Sequence, residues 1–189
     1  MNVAALPFTA KLRAPFAVLG LVTDGRAVTR VTYLPRDERA KAPADAVAER
    51  AAREIERYLA DPEYRFTVAL APGGTPFQQR VWQALHGIAP GESRTYGEVA
   101  RMVRSAPRAV GQACGANRIA LIIPCHRVVG ALGSLGGFMG AAGPPQGARP
   151  PGGERRAAPL GREPFVAEEG DPIAIKRWLL QHEGYRFGA

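Results

Sequence analysis

Cysteine, histidine and long apolar runs are scarce in this sequence, and each shortage excludes a class of protein. Cys114 and Cys125 are its only cysteines, which excludes a disulfide scaffold and suits a reducing compartment. Three histidines form no familiar zinc pattern with cysteines at these positions, so we predict no metal site. No run of about 18 apolar residues is present, and residues 1–16 lack the order of a signal peptide. We therefore predict a cytoplasmic protein without membrane contact.

Lysine is also rare: it supplies 3 of the 25 basic residues, and the other 22 are arginine. The formal net charge of the 189 residues is +8, and residues 76–140 carry +5 of it, from seven arginines and two glutamates. A concentrated positive field attracts polyanions, and arginine binds phosphates and base edges well, so nucleic acid is a candidate partner. A solvated surface and a GC-rich genome are the alternative explanations.

The N-terminal part, residues 1–75, has the pattern of an α/β unit. Two β-rich segments flank Asp24-Gly25, a dipeptide typical of hairpin turns, and an amphipathic helical pattern follows them. The predicted elements are strands at 17–21, 27–34 and 64–70 and a helix at 44–59. Pro72-Gly73-Gly74 breaks the chain, so we predict a domain boundary there and a second domain over residues 76–189. The first domain shows no catalytic cluster and is interpreted as structural support.

The second domain is predicted to begin with a helix at 76–85 and to continue with a helix-turn-helix. Thr95 and Glu98 form a capping box that starts a short helix to about residue 103. Pro107 suits the first turn of a further helix that ends near residue 116. Apart from Arg108, the outer face of that helix carries small residues, so it can approach another surface closely. A DNA groove and a protein backbone are both candidates for that surface.

Residues 141–172 hold 7 of the 17 prolines and 6 of the 22 glycines of the chain. Large apolar side chains are few in this stretch, so burial cannot offset the entropy lost on ordering it. We predict a proline/glycine-rich insertion that is a mobile segment or a long loop. A functional lid is the alternative.

The candidate reactive group is Cys125, which follows an apolar run at 119–123 that we interpret as a buried strand. His126 beside it favours a held thiolate, since a basic neighbour lowers the pKa of a thiol from about 8.5. Adjacent strand residues point to opposite faces, so a bridging water is expected if the two side chains diverge. A helix is predicted at 173–183, and Glu183 at its end is a candidate to orient His126. An inert buried cysteine is the alternative.

Several sequence blocks occur in a specific order. They are FQQRVW at 77–82, GE at 91–92 with TY at 95–96, RAVG at 108–111, AN at 116–117, IPCHRVV at 123–129 and WLLQHEG at 178–184. Over residues 76–140 and 173–189 this order resembles the O6-alkylguanine-DNA alkyltransferases, also called methylated-DNA–protein-cysteine methyltransferases. The resemblance implies an α/β, ribonuclease-H-like N-terminal support domain and a mainly α, helix-turn-helix (winged-helix-like) alkyltransferase domain.

The resemblance implies a DNA repair enzyme that acts once. Cys125 is the implied nucleophile, which attacks the alkyl carbon of O6-alkylguanine after the base has been flipped out of double-stranded DNA. His126 is implied to act as its base through a water, and Glu183 to orient His126. Tyr96 is implied to donate a proton to guanine N3, and Asn117 to tie the helix-turn-helix to the active-site segment. The family needs no metal and no cofactor, and we expect a monomer. O4-alkylthymine is a further candidate substrate.

The implied DNA contacts centre on the second helix of the helix-turn-helix, which enters the minor groove in this family. Arg108 corresponds to the finger that fills the gap left by the flipped base. Ala109 and Gly111 are small enough for the narrow groove. Thr95 and Gln112 are the other implied DNA contacts.

The implied substrate pocket is formed by Val128, Phe138 and Met139, with main-chain groups near residues 128 and 139 reading the guanine edge. The loop at 136–140 departs from the family's Tyr-Ser-Gly-Gly-like pattern and leads directly into the insertion. The range of alkyl groups that the pocket accepts is therefore open.

Two other functions are alternatives. An alkyltransferase-like sensor would bind O6-alkylguanine without repair, but such relatives replace the reactive cysteine that this chain keeps. A Cys–His hydrolase would need an oxyanion hole, and none is recognisable in the sequence.

Overall fold

The computed structural model of the chain describes residues 8–139 and 171–186. Most of the predicted insertion at 141–172 lies outside the described residues. Its last two residues are described: Asp171 caps a helix that Pro172 begins. A proline at the first helical position has no N–H that needs a partner, so Pro172 suits this helix start. Within the two described ranges, no helix is long and apolar enough to cross a membrane.

Three antiparallel strands form a meander in the N-terminal part: β1 (Ala10–Arg13), β2 (Val18–Thr23) and β3 (Val28–Leu34). The predicted hairpin at Asp24-Gly25 joins β2 to β3. Asp24 Oδ1 accepts hydrogen bonds from the N–H groups of Arg26 (2.9 Å) and Ala27 (2.8 Å), and Gly25 has a φ of 82°. The hairpin prediction is confirmed. Strand β1 was not predicted.

Helix α1 (Ala46–Ala60) packs against the meander and follows the predicted helix to within two residues at its start and one at its end. Asp45 caps it by accepting a hydrogen bond from Ala48 N at 2.8 Å. Its buried face includes Ile55 and Tyr58, which are fully buried. The spacing of small and apolar residues therefore predicted this helix correctly.

The predicted strand at 64–70 is wrong. Glu54 of α1 is buried, and its carboxylate accepts hydrogen bonds from the N–H groups of Thr67 (2.7 Å) and Val68 (3.0 Å). These N–H groups are the donors that a strand would use for its ladder. The segment contributes only an isolated bridge between Leu70 and Val28 to the pairing of the described residues.

The second half of the described chain is mainly helical. Its elements are α2 (Pro76–His86), β4 (Arg94–Thr95), α3 (Tyr96–Met102), α4 (Pro107–Gly115), β5 (Val128–Val129) and α5 (Pro172–His182), with 3-10 turns at Cys125–Arg127 and Ala131–Gly133. Strands β4 and β5 pair in parallel. The predicted capping box is present, because Thr95 N donates to Glu98 Oε2 (2.7 Å) and Glu98 N donates to Thr95 Oγ1 (3.2 Å). The tight connection between α3 and α4, in which Arg104 has a φ of 53°, also agrees with the prediction.

The predicted strand at 119–123 is wrong, although the segment is buried as expected. Ile123 N donates to Ile119 O (2.9 Å), and Leu121 has a φ of 74°, so the chain turns here instead of extending. Asn117 holds the turn at both ends: its Oδ1 accepts from Ile119 N (3.0 Å), and its Nδ2 donates to Ile123 O (2.9 Å). A short-range side-chain amide thus supplies the bonds that a neighbouring strand would have supplied.

One hydrophobic core extends across both halves of the chain. Leu19 and Ile55 from the N-terminal part belong to the same buried cluster as Leu85 and Leu179. Strand β3 also contacts the second half through its backbone, because Val31 N donates to Arg118 O (2.8 Å). The N-terminal part therefore helps to fix the segment that leads to Cys125.

Candidate active site

Cys125 begins a 3-10 turn and does not follow a strand as predicted. The residue is 3% exposed. Asn117 Nδ2 lies 3.2 Å from Cys125 Sγ and donates a hydrogen bond to it. Since the same amide holds the preceding turn, Asn117 connects the end of α4 to the sulfur atom. The predicted link between the helix-turn-helix and the reactive segment is present in this geometry.

His126 is fully buried beside Cys125, and its Nε2 lies 2.9 Å from Glu183 Oε1. A carboxylate only accepts hydrogen bonds, so Nε2 carries the proton and Nδ1 has a free lone pair. Nδ1 has no hydrogen-bond partner among residues 8–139 and 171–186. The sequence-predicted pair of His126 and Glu183 therefore forms, and it leaves the other ring nitrogen able to accept a proton.

Glu183 follows α5 directly and is held by more than His126. Arg127 Nη2 donates to its Oε1 (2.8 Å), Arg127 Nε donates to its Oε2 (3.0 Å), and the Tyr58 hydroxyl donates to Oε1 (2.8 Å). Burial alone would raise the pKa of Glu183, but the hydrogen bonds and charges of His126 and Arg127 lower it to about 2. Glu183 is therefore an anion throughout the physiological pH range.

Burial has opposite effects on the two groups that would exchange a proton. It raises the pKa of the Cys125 thiol, against the opposing effects of the Asn117 hydrogen bond and the Lys176 charge. It lowers the pKa of His126, against the opposing effect of Glu183. The net direction is upward because desolvation outweighs the lowering effects, among them a hydrogen bond from the His126 backbone. The thiol needs a base in order to react.

Cys125 opens onto a cavity of about 880 Å³, which is within the range of small-molecule sites, roughly 300–1,000 Å³. Its walls come from the start of α3, the outer face of α4 and the loop that follows β5. Among the residues with predicted roles, those in the walls are Thr95, Tyr96, Arg108, Gly111, Gln112, Phe138 and Met139. The second cysteine, Cys114, also lines this cavity.

Tyr96 is fixed against the loop after β5. Its hydroxyl donates to Gly137 O at 3.0 Å, and burial raises its pKa, so it stays protonated and can donate. Gly136 has a φ of 64°, and a Cβ at that position would lie 2.8 Å from Tyr96 Cε2. Glycine at 136 is therefore required both by the backbone conformation and by the close approach of the tyrosine ring.

The exposed residues with predicted DNA contacts lie on one face of α4. Arg108 and Gln112 are exposed, and Gly111 lies between them on the cavity wall. Ala109 is half-buried and does not line the cavity. Thr95 lines the cavity, but its hydroxyl is engaged in the capping box, where it donates to Glu98 Oε2 (2.8 Å).

Val128 does not line the cavity, which corrects its assignment to the substrate pocket. Its side chain is fully buried, its N–H donates to Cys125 O, and its carbonyl accepts a hydrogen bond from Lys176 Nζ (2.6 Å). Both main-chain groups of Val128 are therefore already paired. The cavity wall on this side is formed instead by Phe138 and Met139.

Sequence reasoning missed Lys176, a fully buried lysine of α5. Its Nζ donates to the carbonyls of Val128, Leu135 and Gly137, the last at 3.1 Å, and so ties β5 to the loop that Tyr96 contacts. Burial lowers its pKa to about 8. The spacing could have indicated it, because Lys176 precedes Glu183 by seven residues, about two helical turns.

Comparison with known proteins gives a consistent result. A family model described as the DNA-binding domain of 6-O-methylguanine DNA methyltransferase matches residues 76–185. A methylated-DNA–protein-cysteine methyltransferase of Methanosarcina mazei is 40% identical over 134 residues, which are 67% of this chain and 85% of that protein. Its Mycobacterium leprae counterpart is 47% identical over 114 residues, 59% of this chain and 64% of that protein.

A solved structure agrees with these matches. The crystal structure of Mycobacterium tuberculosis OGT in complex with DNA aligns with a TM-score of 0.67 and 34% identity, covering 92% of this chain and 90% of that chain. Family model, relatives and structure thus confirm the resemblance found in the sequence. The chain belongs to the 6-O-methylguanine DNA methyltransferase family.

Proposed function

We propose that this protein repairs DNA by moving the alkyl group of O6-alkylguanine onto its own Cys125. The observation that carries the proposal is a buried thiol on the wall of a base-sized cavity, directly beside a hydrogen-bonded His126–Glu183 pair. Sγ forms a bond to the alkyl carbon, the bond from that carbon to guanine O6 breaks, and its electron pair returns to guanine. Because a thioether is a poor leaving group, each molecule acts once.

The proton of the thiol is proposed to pass to His126 Nδ1 through a water. Nδ1 is the ring nitrogen left free by the bond from Nε2 to Glu183, and a lowered pKa keeps the ring neutral and able to accept. The carboxylate then stabilises the imidazolium that forms. The Asn117 amide donates to Sγ, and a donor at this position stabilises the developing thiolate.

The Tyr96 hydroxyl is proposed to donate a proton to guanine N3 as guanine departs. A flipped base that enters the cavity would replace the Gly137 carbonyl as the hydrogen-bond partner of this hydroxyl. The raised pKa of Tyr96 makes it a donor and a weak acid, so the donation stabilises charge that develops on the leaving guanine. Phe138 and Met139 are proposed to contact the base from the opposite wall.

Double-stranded DNA is proposed to bind across α4 with its minor groove facing the helix. Gly111 and Ala109 allow a close approach, Arg108 fills the gap in the base stack, and Gln112 and Thr95 contact the DNA nearby. The net charge of +5 on residues 76–140 supports binding to a polyanion.

For the whole chain we propose a ribonuclease-H-like support domain at 1–75 and a winged-helix-like alkyltransferase domain at 76–189. The meander packed by α1, and the helix pair α3–α4 beside the β4–β5 pair, support this division. The protein is proposed to work as a monomer, since Cys125, His126 and Glu183, which form the proposed proton relay, come from one chain. It is proposed to be cytoplasmic, because Cys114 and Cys125 are both free thiols, as in reducing compartments.

Incubation with an oligonucleotide duplex that contains O6-methylguanine tests the proposal. Intact-protein mass spectrometry should show a gain of one methyl group, and peptide mapping should place it on Cys125 and not on Cys114. Cys125→Ala should bind the duplex without reacting. An unmodified protein that binds the lesion and leaves it intact would overturn repair in favour of a lesion sensor. Loss of binding in Cys125→Ala would indicate a structural cysteine instead.

A further inference from the structure

Tyr58 brings the N-terminal part of the chain into the active-site relay. It lies in the last turn of α1, and its hydroxyl donates to Glu183 Oε1 at 2.8 Å across a sequence separation of 125 residues. The ring is fully buried. The part of the chain that sequence reasoning interpreted as support alone therefore supplies a direct bond to the carboxylate behind His126.

The ring of Tyr58 is held in place independently of its hydroxyl. His182 Nε2 donates to the Tyr58 main-chain carbonyl at 2.9 Å, and the two rings meet edge to face with centroids 5.3 Å apart. Phe66 contacts the Tyr58 ring at 5.5 Å, and Trp178 stacks on His182 at 4.8 Å. The hydroxyl is thus presented to Glu183 from a rigid position, with little rotamer entropy left to lose.

The bond from Tyr58 selects one oxygen of the carboxylate. Arg127 reaches both oxygens of Glu183, since Nη2 and Nε contact Oε1 (2.8 and 3.2 Å) and Nε also contacts Oε2 (3.0 Å). Arg127 therefore neutralises the charge and, by contacting both oxygens, also restrains the carboxylate, but it does not favour one oxygen over the other. Tyr58 contacts only Oε1, the oxygen that His126 Nε2 also contacts. Burial and the Glu183 charge raise the pKa of Tyr58, so its hydroxyl remains a donor.

We propose that Tyr58 is a positioning residue for alkyl transfer, which holds Glu183 Oε1 against His126 Nε2 so that His126 Nδ1 stays free to accept a proton. This inference rests on the proposed function. It predicts that the N-terminal part sets the rate of the transfer step without contributing to DNA affinity.

The test compares Tyr58→Phe with Tyr64→Phe. Tyr64 is a half-buried tyrosine of the N-terminal part whose ring packs against Phe66 at 6.0 Å, so the control removes a hydroxyl that does not reach the relay. Single-turnover transfer from O6-methylguanine duplex is measured over a range of DNA concentrations. Tyr58→Phe should lower the saturating rate about tenfold, as expected for one hydrogen bond to a charged group. The half-saturating concentration should not change, and Tyr64→Phe should match wild type in both.

A double-mutant cycle with Glu183→Gln distinguishes positioning from a general structural effect. If Tyr58 acts through Glu183, Tyr58→Phe should change the rate less than about twofold in the Glu183→Gln background. An equal loss in both backgrounds, or an unchanged saturating rate in Tyr58→Phe, overturns the proposal. Thermal melting of every variant identifies any that is unfolded at the assay temperature.

A second variant keeps the test decisive if Tyr58→Phe does not fold. His182→Ala retains the hydroxyl but removes the bond to the Tyr58 carbonyl, and it should lower the saturating rate by a smaller factor, with the half-saturating concentration unchanged. A rate equal to that of wild type would then overturn the proposal. If wild type itself transfers no methyl group, the proposed function fails. If wild type transfers and these variants match it, only the role of Tyr58 fails.

Discussion

Replacing Glu183 by glutamine tests whether the relay is both a catalytic and a stabilising element. The substitution preserves shape but removes the negative charge, and it leaves the buried guanidinium of Arg127 without its counter-ion. Breaking a buried ion pair from one side costs about 3–5 kcal/mol. The pKa of Glu183 gives a similar figure: lowering it from 4.5 to about 2 corresponds to about 3 kcal/mol at neutral pH.

The stability that Glu183 contributes should decrease as the pH falls. Because the folded-state pKa of Glu183 is depressed, its stabilisation is fully present above pH 4.5 and is lost as the pH falls toward 2. The difference in unfolding free energy between wild type and Glu183→Gln should therefore be about 3 kcal/mol at pH 7. By pH 3 it should have fallen by about half or more. Urea titrations of both proteins at the two pH values measure it.

The matched control is Glu92→Gln, whose partner Arg94 lies at 3.2 Å on a largely exposed surface. That change should cost less than about 1 kcal/mol at either pH. Glu183→Gln should also lower the saturating transfer rate by at least about a hundredfold, the usual contribution of a general base. A stability loss below about 1 kcal/mol, or one that is equal at pH 7 and pH 3, would refute the reasoning.

Three further substitutions test the cavity wall and the contacts that hold the loop after β5. Arg108→Ala should leave the melting temperature unchanged, because the side chain is exposed, while slowing transfer about tenfold through poorer base flipping; an unfolded variant would contradict this. Gly136→Ala should destabilise the protein more than Gly25→Ala and slow transfer. Both glycines have a positive φ, but only a Cβ at 136 meets the Tyr96 ring. Equal effects of the two substitutions in thermal melts and transfer assays would show that the close approach to Tyr96 is unimportant. Lys176→Met should cost about 3 kcal/mol, measured by urea titration, because buried carbonyls lose their donor; a neutral result would mean that the loop repacks.

The helices and caps could be predicted from sequence because their signals are local. Thr95 and Glu98 are three residues apart, Asp24 and Gly25 are adjacent, and each pair forms the expected bonds. The structure also brings the predicted partners His126 and Glu183 into contact. Predicting Glu183 required the family resemblance, since a glutamate at the end of a helix is usually solvated.

The two wrong strands share a physical cause. Residues 64–70 and 119–123 have the apolar composition of strands. However, polar side chains, and not a neighbouring strand, accept hydrogen bonds from their N–H groups. Glu54 binds Thr67 and Val68, and Asn117 binds Ile119. Composition indicates that a segment is buried, but it does not indicate which groups form hydrogen bonds with the backbone N–H and C=O groups of that segment. For the same reason Tyr58 could not be found from sequence, since its partner lies in the other half of the chain.

The opposite pKa shifts of Cys125 and His126 predict that the thiol is unreactive in the absence of DNA. Burial favours the neutral form of both groups, so the resting pair is a thiol and an imidazole rather than a thiolate and an imidazolium. Oxidants and free alkylating agents react with the thiolate, and a protein that is consumed by one transfer is inactivated by any such reaction. The carboxylate of Glu183 cannot create the thiolate alone, because Arg127 and Tyr58 share its charge. In the proposed mechanism, transfer therefore requires the alkylated base in the cavity, where the leaving guanine accepts a proton as the thiol loses one.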